Sequence, residues 1–208
     1  MESSPVAEPK ARRPGGRSAH VRSAVLQAAL EELREYGFAG LSTARIADRA
    51  GVHRTTVHRR WPDHAALITE ALLADTAVAV PIPDTGSVRG DLKVLLQAIA
   101  GLVDSPAGRI HTRTLIADAA RSPEIGEVVS RVWLSRFALG EEVIRRGVAR
   151  GELRRDIPPA TILATFVGPL YVRLLITDER IDDAFIRDVI EVGLIGSRPE
   201  AGAMPEVT

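Results

Sequence analysis

Six side chains that can donate hydrogen bonds, and no acidic one, surround Val57 between residues 54 and 60. They are Arg54, Thr55, Thr56, His58, Arg59 and Arg60. The major groove of DNA presents hydrogen-bond acceptors, chiefly guanine O6 and N7, and phosphates flank it. Arginine donates to either kind of acceptor, and threonine hydroxyls can donate to bases. This run of donors therefore predicts a surface that contacts double-stranded DNA.

The apolar and small residues nearby predict how this surface is held. Ile46 and Val57 can face each other where two helices cross, and Ala47 is small enough for the second helix to approach the first. Gly51 can end the first helix in a left-handed conformation at little cost. This spacing over residues 43–61 is typical of a helix-turn-helix.

Helical periodicity extends over the rest of the chain and predicts an all-α fold, with no strand alternation. A proline- and glycine-rich break at residues 81–90 indicates a domain boundary. The predicted helices are Ser18–Tyr36, Ala44–Ala50, Arg54–Trp61, one that begins after Asp63, and about Val88–Asp104, Pro106–Arg121, Pro123–Arg150, Pro159–Thr177 and Asp182–Ile195.

Absent residues and motifs narrow the function further. The chain of 208 residues contains no cysteine, which excludes thiol nucleophiles, thiolate zinc sites and disulfide scaffolds. It has no HExxH motif, no glycine-rich phosphate loop and no serine in a nucleophile-elbow context. We therefore expect neither an enzyme nor a cofactor nor a metal site. Because there is no apolar signal region and no run of about 18 apolar residues, we expect a cytoplasmic protein without a membrane partner.

The charge distribution is uneven although the net charge is zero. Residues 1–64 contain 11 Lys and Arg against 7 Asp and Glu, a net charge of +4, and the remainder contains 16 against 20, a net charge of −4. A basic N-terminal part favours a polyanion at that end of the molecule.

Residues 18–80 resemble the N-terminal domain of the TetR/AcrR family of transcriptional regulators. The resemblance rests on Tyr36-Gly37-Phe38, Leu41-Ser42-Thr43, Ile46-Ala47, Ala50-Gly51-Val52 and Val57-His58-Arg59-Arg60-Trp61-Pro62 before Leu67. It implies an all-α homodimer that has an N-terminal three-helix DNA-binding domain with a helix-turn-helix and a C-terminal helical ligand-binding and dimerisation domain. It also implies a repressor that leaves a palindromic operator when a small apolar or aromatic effector binds.

The expected domains follow from this resemblance and from composition. They are a disordered basic tail at 1–17, the DNA-binding domain at 18–80, the effector-binding and dimerisation domain at 81–196, and a loose tail at 197–208.

Within the DNA-binding domain, the resemblance implies that Thr43 donates to a phosphate, with Arg45 beside it. We expect Arg54, Thr55 and Thr56 to contact bases and His58, Arg59, Arg60 and His64 to contact phosphates. His58 and His64 replace the tyrosine and lysine that are usual in the family. Because histidine titrates near neutrality, we hypothesise that DNA binding weakens as pH rises.

In the C-terminal domain, the resemblance implies that the last two long helices form the dimer interface. The residues expected there are Leu163, Val167, Leu170, Tyr171, Leu174, Val189, Val192 and Gly193. Aromatic and apolar residues with a polar anchor suit a drug-sized ligand, and the residues expected to line the cavity are Leu102, Ile110, His111, Thr114, Leu115, Trp133, Phe137 and Phe166. An ordinary helical core is the alternative for the same residues.

Other functions stay open at this stage. An enzyme is the alternative from a different class. A helical DNA-binding protein without an effector, acting architecturally or constitutively, is another. The choice between repression and activation is also open.

Overall fold

A computed structural model describes residues 16–199 of the chain. Within that range the protein is helical and contains no β-strand. The predicted tails at 1–17 and 197–208 therefore lie mostly outside the described residues. Where they overlap with the structure, the prediction is wrong, because residues 16 and 17 begin the first helix and Ser197 ends the last one.

Nine α-helices and one π-helical segment make up the described part of the chain. The α-helices are α1 (Gly16–Tyr36), α2 (Thr43–Arg49), α3 (Arg54–Arg60), α4 (His64–Ala79), α5 (Val88–Val103), α6 (Pro106–Arg121), α7 (Pro123–Ala149), α8 (Pro159–Val172) and α9 (Asp183–Ser197). The π segment, Arg173–Thr177, continues α8. Every predicted helix is present. When α8 and the π segment are counted as one helix, the observed limits differ from the predicted ones by at most two residues.

Short polar side chains fix where most of these helices begin. One side-chain oxygen accepts a backbone N–H of the first turn at each of Ser42, Asp63, Ser87, Ser105, Ser122 and Asp182. Such a cap satisfies an N–H group that has no partner within its helix. Because Ser42 caps α2, the hydroxyl of Thr43 is left for another contact.

The helix-turn-helix packs as its apolar residues predicted. Ile46, Ala47 and Val57 are buried in one core with residues of α1 and α4. Gly51 ends α2 with a φ of +65°, the left-handed conformation that costs glycine least. The sequence prediction of this packing is confirmed.

Helices α5, α7, α8 and α9 enclose the second core. Its fully buried side chains include Leu92, Leu96, Ile144, Phe166 and Leu170. Of the described residues, one helical stretch, Pro159–Thr177, is by length and composition apolar enough to cross a membrane. In this fold it packs against α5, α7 and α9, and its inner side supplies Phe166 and Leu170 to the core.

The two cores meet at the beginning of α7. Ile125 and Val128 of α7 are buried in the core of the helix-turn-helix region. Leu115 and Ala119 of α6 pack against the same core. Helices α6 and α7 therefore complete the packing of the N-terminal core and connect it to the second core.

Candidate nucleic-acid interface and internal cavity

Helix α3 turns its donors toward solvent and its apolar residue inward. Val57 is only 2% exposed, while the polar residues around it are exposed, except for Thr56, which is half-buried. The exposed ones are Arg54, Thr55, His58, Arg59 and Arg60. The arrangement gives α3 a continuous surface of donors without a carboxylate. Such a surface matches the acceptors of a DNA groove.

Thr43 and His64 come together although they are far apart in sequence. Thr43 begins α2, His64 begins α4, and the Thr43 Oγ1 lies 3.0 Å from His64 Nε2. The free N–H groups at a helix N-terminus and the helix dipole both favour a phosphate. The structure thus brings two predicted phosphate contacts side by side, at the N-termini of α2 and α4.

Arg45 contacts α1 and the residues that follow it. Its guanidinium donates to Glu32 and, at 2.6 Å, to the carbonyl oxygen of Gly40. It also lies 4.3 Å from the centre of the Tyr36 ring. These contacts use Arg45 to hold α2 against α1. Its side chain is still 44% exposed, so the DNA contact expected of it stays a prediction.

Glu32 is the other half of this contact and was missed from the sequence. Its carboxylate is fully buried on α1 and pairs with Arg45 and, at 3.5 Å, with Arg49 of α2. The sequence does contain a signal that Glu32 is buried, because Glu32 lies in the apolar stripe of α1 that includes Val25 and Ala29. A carboxylate is rarely buried without a partner, and the arginines on α2 are that partner.

Glu70 makes a similar connection at the other end of α3. Its carboxylate accepts the Trp61 indole N–H at 2.6 Å and pairs with Arg22 of α1. Trp61 follows α3 directly, and Glu70 belongs to α4. This contact holds the end of α3 to α4.

A cavity of about 1240 Å³ lies between the two cores. Seven of the eight predicted residues line it: Leu102, Ile110, His111, Thr114, Leu115, Trp133 and Phe137. The prediction of Phe166 is wrong, because its ring is fully buried between α8 and α9 and does not reach the cavity. The cavity also extends to residues of α1 and α4 such as Tyr36 and Thr76.

Aromatic rings form one wall of this cavity. The ring centre of Trp133 lies 4.5 Å from that of Tyr171, edge to face, and 5.7 Å from that of Phe137. Burial raises the pKa of Tyr171, so its phenol stays neutral and can donate a hydrogen bond. Tyr171 was predicted at the dimer interface, and the structure places it at the cavity instead.

Other residues predicted at the dimer interface also point inward. Leu163, Val167, Leu170 and Leu174 are buried in the core of their own subunit, so their prediction as interface residues is wrong. Helix α8 is apolar on both sides, and a sequence stripe cannot tell its two sides apart. Val189 and Gly193 are half-buried, and Val192 is 71% exposed.

Four apolar residues of α8, its π continuation and α9 are nevertheless exposed. They are Val172, Ile176, Val192 and Ile195. Single exposed apolar residues are ordinary, but four on adjacent helices suit an interaction site. We refer to these four residues as the outer apolar face.

No group of three or more His, Asp or Glu side chains within residues 16–199 is arranged to hold a metal ion. The carboxylates of Glu32 and Glu35 near the helix-turn-helix form ion pairs with Arg49 instead. Hydrogen bonds from Tyr36 and Arg49, for example, lower the pKa of Glu35.

Comparison with known proteins assigns a family description to each half of the chain. Residues 25–71 match the family described as bacterial regulatory proteins, tetR family. Residues 82–192 match the family described as tetracyclin repressor-like, C-terminal domain.

Similar proteins span most of the chain. The HTH-type transcriptional regulator AqdR of Rhodococcus erythropolis is 34% identical over 164 residues, which are 78% of this chain and 79% of AqdR. The DNA-binding transcriptional repressor TetR of Mycobacteroides abscessus is 33% identical over 186 residues, 86% of this chain and 95% of that protein. The crystal structure of the TetR family transcription regulator SCO0332 is 31% identical, with a TM-score of 0.73 over 86% of this chain and 100% of the other.

Proposed function

The chain belongs to the TetR family of bacterial transcriptional regulators, and on that premise we propose that it is a dimeric repressor with a ligand-controlled operator. It is a DNA-binding regulator and not an enzyme. In the proposed cycle, the dimer occupies a palindromic operator and leaves it when a small apolar or aromatic ligand enters the cavity. We expect it to act in the cytoplasm, where the DNA is.

The observation that carries the proposal is the surface of α3. Its exposed side chains are donors and its buried side chain is Val57. Thr43 and His64, for which we propose phosphate contacts, lie together at the beginnings of α2 and α4. In a helix-turn-helix, the N-terminal residues of the second helix contact base edges. Arg54 and Thr55 occupy that position.

The outer apolar face supports the dimer. A two-fold axis through this face brings the same patch of both subunits together, as a closed dimer requires. Two recognition helices in such a dimer contact half-sites about 34–36 Å apart, or a multiple of that distance, which gives a palindromic operator. Burial of Ile176 and Val192 in the interface also accounts for their exposure in the single chain.

The position of the cavity supports control by a ligand. Its wall includes residues of α4, and α4 also carries His64 and Glu70 near the DNA-binding surface. A ligand that moves α4 therefore moves groups that position α3. The M. abscessus relative is named a repressor, which favours repression over activation.

The test is selection of bound sequences from random double-stranded DNA at one stated salt concentration, because phosphate contacts weaken with salt. We expect enrichment of a palindrome and protection of both half-sites in footprinting. Enrichment of a single asymmetric half-site would overturn the dimer, and failure to enrich any motif would overturn sequence-specific regulation.

A further inference from the structure

One arginine lies among the aromatic residues of the cavity. Arg136 of α7 is three residues after Trp133 and next to Phe137, and all three line the cavity. Its guanidinium donates to the carbonyl oxygen of Val80. Since a guanidinium carries five N–H donors, this bond leaves donors for a further acceptor.

Arg136 also differs from the other charged residues of the cavity wall. Within residues 16–199 no carboxylate pairs with it. The others have partners of opposite charge, in the pairs Arg34 with Asp75, Glu35 with Arg49, and Asp118 with Arg121. The cavity therefore carries an excess of positive charge at one point of its wall.

An isolated cation in this position favours an anionic ligand. Withdrawal of a charge from water costs free energy unless an opposite charge accompanies it. Burial accordingly lowers the pKa of Arg136. Arginine nevertheless keeps its proton, so the charge persists and a ligand anion is the group that can neutralise it.

We propose that the effector is an amphipathic monocarboxylate, whose carboxylate binds Arg136 and whose apolar body lies against Trp133, Phe137 and Tyr171. The proposal rests on the proposed function and specifies the ligand class of the same cavity. The planar guanidinium matches a carboxylate with two parallel hydrogen bonds. The cavity of about 1240 Å³ exceeds the range of about 300–1,000 Å³ that is usual for drug-sized ligands, so the body can be a long chain or fused rings.

The same contact connects the ligand to α4. Val80 caps the C-terminal end of α4, and Arg136 holds its carbonyl oxygen. A carboxylate is a stronger acceptor than a neutral carbonyl. A ligand carboxylate that binds the remaining N–H groups therefore draws the guanidinium toward itself, and this loosens the contact that holds the end of α4.

The experiment compares matched probes by calorimetric titration of the full chain. The pairs are decanoate with 1-decanol and 2-naphthoate with 2-naphthalenemethanol, which differ only in the anionic group. We expect the carboxylate of at least one pair to bind about tenfold more tightly than its alcohol, the size of a charge-assisted hydrogen bond. The Arg136→Gln variant should lose that preference and keep its affinity for the alcohol.

Arg146→Gln is the matched control. Arg146 also lies on α7 and donates to the carbonyl oxygen of Pro83, in the segment between α4 and α5. Unlike Arg136, it pairs with a carboxylate, that of Asp84, and does not line the cavity. This variant should keep the preference. The proposal is overturned if neither carboxylate binds, if the alcohols bind as tightly, or if His111→Gln rather than Arg136→Gln removes the preference.

A separate readout distinguishes this proposal from the proposed function. Operator binding without any probe tests the regulator itself. If the operator binds and an alcohol releases it while the carboxylates do not, the ligand-controlled repressor stands and the monocarboxylate proposal fails. If no operator is found, the proposed function fails whatever the probes do.

Discussion

The donors of α3 differ in position along the helix, and their roles should differ accordingly. Arg54 begins α3, where a recognition helix contacts base edges. Arg60 ends it, with its guanidinium 5.5 Å from the centre of the Trp61 ring. Stacking of this kind orients a guanidinium, and a fixed cation at the helix end suits a phosphate.

We expect Arg54→Ala to weaken operator binding by about 1–3 kcal/mol and to relax the preference at one base pair. Arg60→Ala should weaken binding to operator and random DNA equally and lower the salt slope by about one unit. Anisotropy titrations over a salt series measure both. Lys93→Ala, which removes an exposed charge from α5, should leave binding unchanged. If Arg54→Ala weakens binding to operator and random DNA equally, Arg54 does not contact a base.

The contact between Thr43 and His64 makes a second prediction at this scale. When His64 Nε2 donates to the Thr43 hydroxyl, the hydroxyl hydrogen of Thr43 is free for a phosphate. We therefore expect His64→Ala, which removes this donor, to weaken binding to operator and random DNA alike.

The measurement is the Kd for both DNAs at one salt concentration. His64→Gln should keep more of the affinity than His64→Ala, because glutamine can donate to the same hydroxyl. His58→Ala serves as the comparison, since His58 is exposed and has no side-chain partner within the described residues. An unchanged affinity in His64→Ala would contradict the prediction.

At the scale of elements, the crossing of α8 and α9 depends on Gly193. A Cβ at this position would overlap the Phe166 ring, which is fully buried. The ring therefore occupies the space that any other residue would need. The sequence showed an apolar helix with a glycine, but it did not show which side of that helix the glycine faced.

Gly193→Ala should lower the free energy of unfolding by about 1–3 kcal/mol, as overpacking of a core does. Denaturant unfolding at constant protein concentration measures it. Gly101→Ala in α5 is the control, because no atom beyond the adjacent residues and the backbone of its own helix lies within 4 Å of the place that the added methyl group would occupy. This variant should be neutral or stabilising. Equal stability of the Gly193→Ala variant would show that α9 shifts freely.

At the scale of the whole molecule, the outer apolar face should hold two subunits together. Val192→Asp should weaken the dimer, because it introduces a charge into an apolar interface. Sedimentation at several concentrations measures this dissociation. Leu134→Asp is a close control, because Leu134 and Val192 are both 71% exposed but Leu134 lies on α7. Operator affinity should fall with the dimer, and an intact dimer in Val192→Asp would place the interface elsewhere.

The packing of the two cores against each other also belongs to the scale of the whole molecule. The predicted domain boundary near residue 80 coincides with the segment between α4 and α5, yet Ile125 and Val128 of α7 pack into the N-terminal core. Local sequence patterns report on neighbours along the chain and cannot show which distant helix closes a core. The cavity between the cores therefore reaches α1 and α4, which the sequence did not indicate.

Much of this protein was determined by sequence alone. The caps, the helix periods and Gly51 depend on contacts within a few residues, so the helices and the helix-turn-helix were predictable. The donors of α3 were predictable too, because Val57 fixes which side of that helix is buried.

Only the tertiary structure decided which side of an apolar helix faces inward and which charged residues have partners. It placed Leu170 in the core and left Val192 exposed, assigned Arg45 to Glu32, and left Arg136 without a carboxylate in the cavity wall. The physical reason is that burial and ion pairing depend on residues far away in sequence, such as Glu32 for Arg45 and Val80 for Arg136.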